Sequence, residues 1–204
     1  SYDTTLSHPE LRTNSGTIWT IPVVVHVVYN TTNMIENITD EQILSQIAIL
    51  NKDFRLQNID ATNIPTYFRS VAADTEIEFC LASRDPNGNP TNGINRVATT
   101  TNQVGSYSTQ RVKVEAPAWN VNQYLNLWVC EIDNNGSTLG YAVMASDAPL
   151  VGNSDGVVID YRYFGDIGTG ITYLQFNKGR TATHEIGHYF NLKHIWGDDE
   201  NNVN

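Results

Sequence analysis

The segment from Thr183 to His194, with the sequence T-H-E-I-G-H-Y-F-N-L-K-H, constrains the fold more than any other part of the chain. His184 and His188 are four residues apart, and on an α-helix that spacing places two side chains on one face with Cβ atoms roughly 5–6 Å apart. Two imidazoles so placed can bind one metal ion, and Glu185 would face the same cleft, within reach of a water on the metal. The segment therefore predicts a helix that carries two zinc ligands and a general base.

A third histidine, His194, lies six residues after His188, too far along to reach the same ion if the helix simply continued. Asn191 lies between them, and after glycine, asparagine best tolerates the left-handed backbone that ends helices. A turn there would bring His194 back to the first two imidazoles. A bare H-E-x-x-H pattern also occurs by chance on ordinary helices, but the third histidine and the turn-forming residue argue against coincidence.

Three neutral imidazole nitrogens at about 2.0–2.1 Å from Zn²⁺, with one tetrahedral position left for water, describe a catalytic rather than a structural zinc site. The predicted metal ligands are His184, His188 and His194, and the predicted catalytic residue is Glu185.

The motif and its flanks resemble a known family of zinc peptidases. The run H-E-I-G-H-Y-F-N-L-K-H is similar to the long metzincin motif H-E-x-x-H-x-x-G-x-x-H, with Asn191 in place of the glycine. The flanks T-A-T and I-W-G-D-D resemble the pappalysin family, including its bacterial secreted branch. The resemblance covers most of the chain, through these segments: I-P-V-V-V-H-V-V-Y (21–29), I-E-F-C-L-A (77–82), Y-L-N-L-W-V-C (124–130), L-G-Y-A (139–142) and D-G-V-V-I-D (155–160).

This resemblance implies an α/β (or α+β) fold of the metzincin type, with a twisted, mostly parallel five-stranded sheet, one backing helix and one active-site helix. It also implies a secreted, extracellular zinc endopeptidase in which Glu185 activates a water on the zinc for hydrolysis of peptide bonds. Two alternatives stay open: a zinc-binding protein-interaction module without turnover, and a zinc hydrolase of non-peptide amides or esters. Glu185 argues against the first, because a structural zinc site needs no general base.

The expected domain organisation is an extended N-terminal arm at 1–17, the upper catalytic subdomain at 18–194 and the start of a C-terminal subdomain at 195–204. Metzincins carry a methionine turn after the third histidine, but the methionines here, Met34 and Met144, both precede it. The resemblance therefore implies that the rest of the C-terminal subdomain is not part of this chain. A separate fragment of the same precursor would then be a partner.

The composition argues against several other classes of function. The 204 residues are 40% hydrophobic and 17% charged, which suffices for a substantial core in one domain. The net charge of −10 argues against nucleic acid or an anionic membrane surface as a partner. The longest apolar run, at 21–29, is far shorter than the ~20 residues needed to cross a bilayer.

Several segments predict the core that carries the site. The apolar, β-branched run at 18–29 predicts a central strand covered on both faces, with His26 as a core histidine rather than a ligand. Thr39 predicts a helix N-terminus with Gln42 as its capping-box partner. The following apolar residues recur at helical steps and predict one buried face: Ile43, Ile47, Leu50 and Phe54. Further strands are predicted at 77–82, 125–132, 139–144 and 157–161.

The connections between these elements are also predicted. Residues 84–96 are dense in turn formers and predict a surface loop. Gly165, Gly168 and Gly170 predict a connection to the active-site helix, which begins near Arg180 or Thr181. By the resemblance, 139–144 is an edge strand above the cleft. It is either a strand on which a peptide can pair or an ordinary solvent-facing edge.

Two smaller groups of residues leave alternatives. If the first strand lies between the strands that carry Cys80 and Cys130, the two Cα atoms are near 10 Å apart, beyond the ~7 Å limit for a disulfide. Two buried thiols are therefore expected. An acidic cluster near the end of the chain could bind Ca²⁺ or form a solvated loop: Asp198, Asp199, Glu200 and Asn201.

Overall fold

The computed structural model describes residues 16–144, 146 and 152–194. Most of the predicted arm (1–17), the segment 195–204 and the four residues considered for Ca²⁺ lie outside them: Asp198, Asp199, Glu200 and Asn201. Six strands are described: β1 (Trp19–Asn30), β2 (Ile77–Leu81), β3 (Ile94–Thr99), β4 (Leu125–Cys130), β5 (Gly140–Ala142) and β6 (Val157–Asp160). Three α-helices lie in the same part of the chain: α1 (Asp40–Phe54), α2 (Arg111–Glu115) and α3 (Arg180–Tyr189).

The strands form one mostly parallel sheet with β1 at its centre. β1 pairs in parallel with β4 on one side, and on the other side with β2 over 19–23 and with β3 over 25–30. β4 pairs in parallel with β6, and β5 closes the sheet as an antiparallel edge strand on β6. The parallel sheet and its edge strand are confirmed, but the sheet has six strands rather than five. Because β1 is 12 residues long, two short strands fit end to end along the same side.

The extra strand also corrects the predicted loop at 84–96. Its last residues, 94–96, belong to β3 and pair with β1. Turn-forming residues hide this strand in the sequence, because β3 begins directly after Gly93, which has a φ of 73°.

Alternate residues of the sheet face two separate hydrophobic clusters. On one face, Val23, Val25 and Val27 pack in a cluster with residues of both α1 and α3. The predicted apolar face of α1 is confirmed, since all of its members are buried: Ile43, Ile47, Leu50 and Phe54. On the other face, Val28 of β1 packs with Val112 of α2, a helix that the sequence did not predict. No helix in the described part of the chain is long and apolar enough to cross a membrane.

The N-terminus of α1 is capped as predicted, but only on one side. The Thr39 hydroxyl accepts a hydrogen bond from the Gln42 backbone N–H at 3.2 Å. The Gln42 side chain does not return to Thr39; its Nε2 donates to the Phe164 carbonyl at 2.7 Å and to the Thr169 hydroxyl at 2.8 Å. The predicted hydrogen bond from the Gln42 side chain back to Thr39, the second half of the capping box, is therefore wrong. The buried amide instead holds the glycine-rich loop that leads from β6 to α3.

His26 is fully buried, and both of its ring nitrogens are hydrogen-bonded. The Asn95 side-chain amide donates to Nδ1 at 3.0 Å, so Nε2 carries the proton and donates to the side-chain Oδ1 of Asn126 at 2.9 Å. The ring stacks on Trp128 with centroids 5.2 Å apart. The prediction of a core histidine is confirmed.

The two cysteines are free, and β1 lies between their strands. Cys130 is buried as predicted, but Cys80 is exposed, so the prediction of two buried thiols is wrong for Cys80. The reason is that β2 is an edge strand covered on one face, where Phe79 packs against Phe54 of α1. Cys80 points to the opposite, open face.

We expect His26 to make stability depend on pH. Burial lowers its pKa from 6.5 to about 4, so between these values the unfolded chain binds more protons than the folded one. The stabilisation is complete above pH 6.5 and is lost as the pH falls toward 4, by about 3 kcal/mol. Urea unfolding of His26→Gln, with chelator present so that metal release does not contribute, should give a flatter profile over this range than wild type. Parallel profiles would contradict the assignment.

Candidate metal centre

Polar contacts with α1 fix the position of α3. The Asp53 carboxylate, on α1, accepts a hydrogen bond from the Thr183 hydroxyl at 2.7 Å and forms an ion pair with Arg180 Nε at 2.8 Å. Gln46 donates to the carbonyl of Gly179, the left-handed residue (φ 63°) that precedes the helix, at 3.0 Å. The predicted helix start is confirmed. These contacts fix the rotation of the first turns of α3 about the helix axis.

Sequence reasoning missed that Gln46 anchors the start of α3 and that Gln42 holds the loop before it. Gln42 and Gln46 are four residues apart and border the apolar face of α1, where both are buried. A polar pair at helical spacing beside a buried stripe was the available signal, because such amides must find partners inside the protein.

The three histidines converge on one point. His188 Nε2 lies 3.0 Å from His184 Nε2 and 3.1 Å from His194 Nε2. Ligand atoms at about 2.0–2.1 Å from a tetrahedral zinc ion would lie roughly 3.3–3.4 Å from one another. The spacing of the three nitrogens is close to that value. The residues therefore fit a zinc ion held by three imidazoles.

The protonation of the rings also suits a metal. His188 Nδ1 lies 2.7 Å from the Leu192 carbonyl oxygen. Because a carbonyl oxygen only accepts, Nδ1 carries the proton and Nε2 presents its lone pair to the other rings. Burial, together with the nearby His188 and His194, lowers the pKa of His184. This favours the neutral form, which is the form that binds a metal ion.

The chain turns at Asn191, as predicted. Its φ is 65°, its N–H donates to the His188 carbonyl at 2.8 Å, and the Leu192 N–H donates to the Gly187 carbonyl at 2.9 Å. These two bonds form the Schellman motif that ends many helices. The turn reverses the chain within three residues and places His194 beside the two ligands on α3.

Glu185 lies beside the edge strand β5. A Cβ added at Gly140 would lie 2.9 Å from Glu185 Cγ, so a side chain at this position of β5 would crowd the carboxyl group. Glu185 is only 9% exposed. Burial raises its pKa to about 7, while the nearby His194 acts in the opposite direction. A carboxyl group with a pKa near neutrality can accept a proton and return it in the same cycle.

β5 forms one wall of the cleft that contains Glu185 and His184, which has a volume of about 520 Å³. Hydrogen bonds to β6 use the Leu139 carbonyl and the Val143 N–H. In an antiparallel pair the direction of these bonds alternates, so the N–H and C=O groups of Gly140 and Ala142 face the free edge.

We expect the left-handed turn to control metal binding. Asn191→Gly should change the free energy of unfolding little, because glycine adopts this backbone freely. Asn191→Val should lose at least about 1–2 kcal/mol and weaken zinc binding, because a β-branched residue is strained there. Urea unfolding and competition with a chromophoric chelator measure the two effects. Equal zinc affinity of both variants would show that the turn does not position His194.

The chain is similar to known metalloproteases. The profile of the peptidase M43 family, described as pregnancy-associated plasma protein-A, matches residues 107–202. An extracellular metalloprotease of Arthroderma gypseum is 25% identical over 185 residues, which are 90% of this chain and 50% of that protein. The chain thus spans about half the length of this curated relative.

Solved structures of mirolysin are more similar. Mirolysin in complex with compound 9 is 49% identical with a TM-score of 0.82, over 90% of this chain and 66% of that chain. Mature mirolysin of Tannerella forsythia in complex with a cleaved peptide is 48% identical with a TM-score of 0.80, over 90% of this chain and 67% of that one. With this identity over two thirds of a relative, and the motif in place, the chain belongs to the pappalysin (peptidase M43) family of metallopeptidases.

Proposed function

We propose that this chain provides the catalytic centre of a secreted, zinc-dependent endopeptidase. The observation that carries the proposal is the convergence of the Nε2 atoms of His184, His188 and His194 beside the buried Glu185. Three imidazoles suit zinc and leave a coordination position open, as in catalytic sites. The extracellular relative from Arthroderma gypseum supports secretion.

Glu185 is the proposed general base. Zinc at this site would polarise the scissile carbonyl and make water more acidic. The Glu185 carboxylate accepts a proton from the attacking water and passes it to the nitrogen of the leaving amine. Burial raises the pKa of Glu185 to about 7 in the metal-free protein, and its place beside Gly140 keeps the carboxylate at the wall of the cleft.

We propose that the substrate peptide pairs with β5 as an additional antiparallel strand. The free N–H and C=O groups of Gly140 and Ala142 would bond its main chain, which gives affinity without selecting a sequence. The structure of mature mirolysin with a cleaved peptide supports a peptide ligand for this family. In this orientation, the peptide residues after the scissile bond lie toward Leu139, and the peptide residues before it lie toward Val143.

Apolar side chains beside the centre support a further polypeptide in the complete enzyme. Leu192, next to the histidines, is 62% exposed, and Leu174 in the loop before α3 is 83% exposed. We propose that a C-terminal subdomain, continuous with residues 195–204 or bound as a separate fragment, covers this surface and carries the methionine turn.

The protein should bind about one zinc ion per chain, and His188→Ala should lose it, because two imidazoles hold Zn²⁺ weakly. His26→Gln is the matched control, since it removes a histidine of the core and should keep the zinc. Elemental analysis after gel filtration measures both. Full occupancy in His188→Ala would overturn the ligand assignment.

Glu185→Gln should keep the zinc and lose most hydrolysis, because general-base catalysis typically contributes about 10²–10⁴-fold. Digestion of a peptide library, with a chelator-treated sample as control, measures the loss. Wild-type turnover in the variant would remove Glu185 from the mechanism. Zinc-dependent hydrolysis of esters without peptide cleavage would favour a non-peptide hydrolase. Zinc binding without any turnover, when the C-terminal subdomain is also present, would favour an interaction module.

A further inference from the structure

A second cavity lies along β5 on the face of the sheet opposite the zinc site. Gly140 and Ala142 face α3, whereas Tyr141 packs in the cluster on the other face, and Val143 follows the same alternation. The cavity has a volume of about 590 Å³. Its lining includes Tyr107, Lys113, Tyr141, Val143 and Ser154.

Lys113, on α2, supplies a positive charge to this cavity. The residue is only 8% exposed, and its Nζ donates to the Ser154 carbonyl at 2.6 Å. Nζ also lies 5.3 Å from the ring centroid of Trp128 and 5.7 Å from that of Tyr141. The hydrogen bond uses one of three N–H donors. Among the described residues, no carboxylate forms an ion pair with Lys113 within 4.0 Å, and Asp155 acts on it from a greater distance.

A buried ammonium group without a paired carboxylate is unfavourable, and an anionic group that entered the cavity would relieve the cost. The pKa of Lys113 reflects this situation, because burial lowers it to about 8 while the charge of Asp155 acts in the opposite direction. The ammonium group is still mostly protonated at neutral pH. It can therefore bind an anion.

The walls of the cavity suit the stem of an acidic side chain. Tyr107 and Tyr141 lie edge to face with ring centroids 5.1 Å apart, and Val143 adds an aliphatic surface. The Tyr141 hydroxyl is already used, since it donates to the Gly105 carbonyl at 2.9 Å. Gln110 also lines the cavity, and its buried Oε1 has no hydrogen-bond partner among the described residues. The other walls offer apolar contact, and Lys113 offers the charge.

The cavity lies where a peptide on β5 would place every second side chain. Directly opposite residues of an antiparallel pair put their side chains on the same face of the sheet. Peptide residues opposite Tyr141 and Val143 would therefore point away from Glu185 and toward Lys113. Because the peptide is antiparallel and Glu185 lies beside Gly140, these residues precede the scissile bond.

We propose that this cavity is a substrate subsite that receives an acidic side chain from a residue on the N-terminal side of the scissile bond, with Lys113 as its charge partner. The inference rests on the proposed endopeptidase function and on peptide pairing with β5.

A matched peptide series tests the subsite. A peptide that the zinc-loaded protein cleaves is resynthesised with Glu, Gln or Lys at each of four positions before the cleavage site. The KM of each peptide is measured with the wild-type protein. The Kd of each peptide is measured by fluorescence anisotropy with the zinc-loaded Glu185→Gln variant. We expect Glu to be preferred over Gln by about tenfold at alternate positions only, the effect typical of a hydrogen bond to a charged group. Adding Lys113→Met to either protein should reduce this ratio to near one.

Lys52→Met is the control, because Lys52 is an exposed lysine of α1 on the other face of the sheet and its loss changes the net charge equally. It should keep the preference for Glu. Zinc content and the unfolding midpoint show whether each variant is folded. If Lys113→Met does not fold, the wild-type order Glu over Gln over Lys, with ratios that shrink at high salt, carries the test.

The outcomes separate the two proposals. Cleavage of all peptides with equal KM for Glu and Gln, or an equal preference in the Lys113→Met and Lys52→Met variants, overturns the subsite alone. Failure of the zinc-loaded wild type, assayed together with its C-terminal subdomain, to bind or cleave any peptide overturns the proposed function and the subsite with it.

Discussion

The three histidines share one point because the helix that carries the first two ends in a left-handed residue. Asn191 has a φ of 65°, and the two backbone bonds around it satisfy carbonyl groups that a helix end would otherwise leave open. The same turn brings the Leu192 carbonyl within 2.7 Å of His188 Nδ1, which fixes the tautomer of that ring. The left-handed backbone at Asn191 therefore places His194 beside the other two ligands and orients the His188 ring. The metal centre depends on this one local conformation.

The rest of the fold positions the metal centre beside β5, the edge strand of the sheet. The Asp53 carboxylate of α1 anchors the first turns of α3 through Thr183 and Arg180, and Gly140 lets β5 approach Glu185 closely. A single, mostly parallel sheet carries both parts, since α1 and α3 pack on one of its faces and the antiparallel strand β5 lies at its edge. The base is thus buried beneath a strand whose outer backbone groups remain available for a peptide.

The features that sequence reasoning predicted are those set by residues close together in the chain. The spacing of His184 and His188 follows from the helical repeat, and the turn follows from the backbone preference of Asn191. The missed features depend on distant partners. The strand β3 was missed because it pairs with β1, about seventy residues earlier in the chain. The exposure of Cys80 follows from the position of β2 at the edge of the sheet. The Gln42 side chain bonds to the loop near residue 164 instead of to Thr39.

X-ray absorption at the zinc K-edge of the zinc-loaded protein is the sharpest test of a centre built from three histidines, because it reports the atoms bound to the metal without reference to activity. We expect three nitrogen ligands at about 2.0–2.1 Å and one oxygen at about 2.0–2.2 Å, with the multiple-scattering signal of imidazole rings. A sulfur ligand at about 2.3 Å would place zinc at a cysteine instead, and a shell of oxygen ligands alone would place it at carboxylates. Either result would contradict a centre built from His184, His188 and His194.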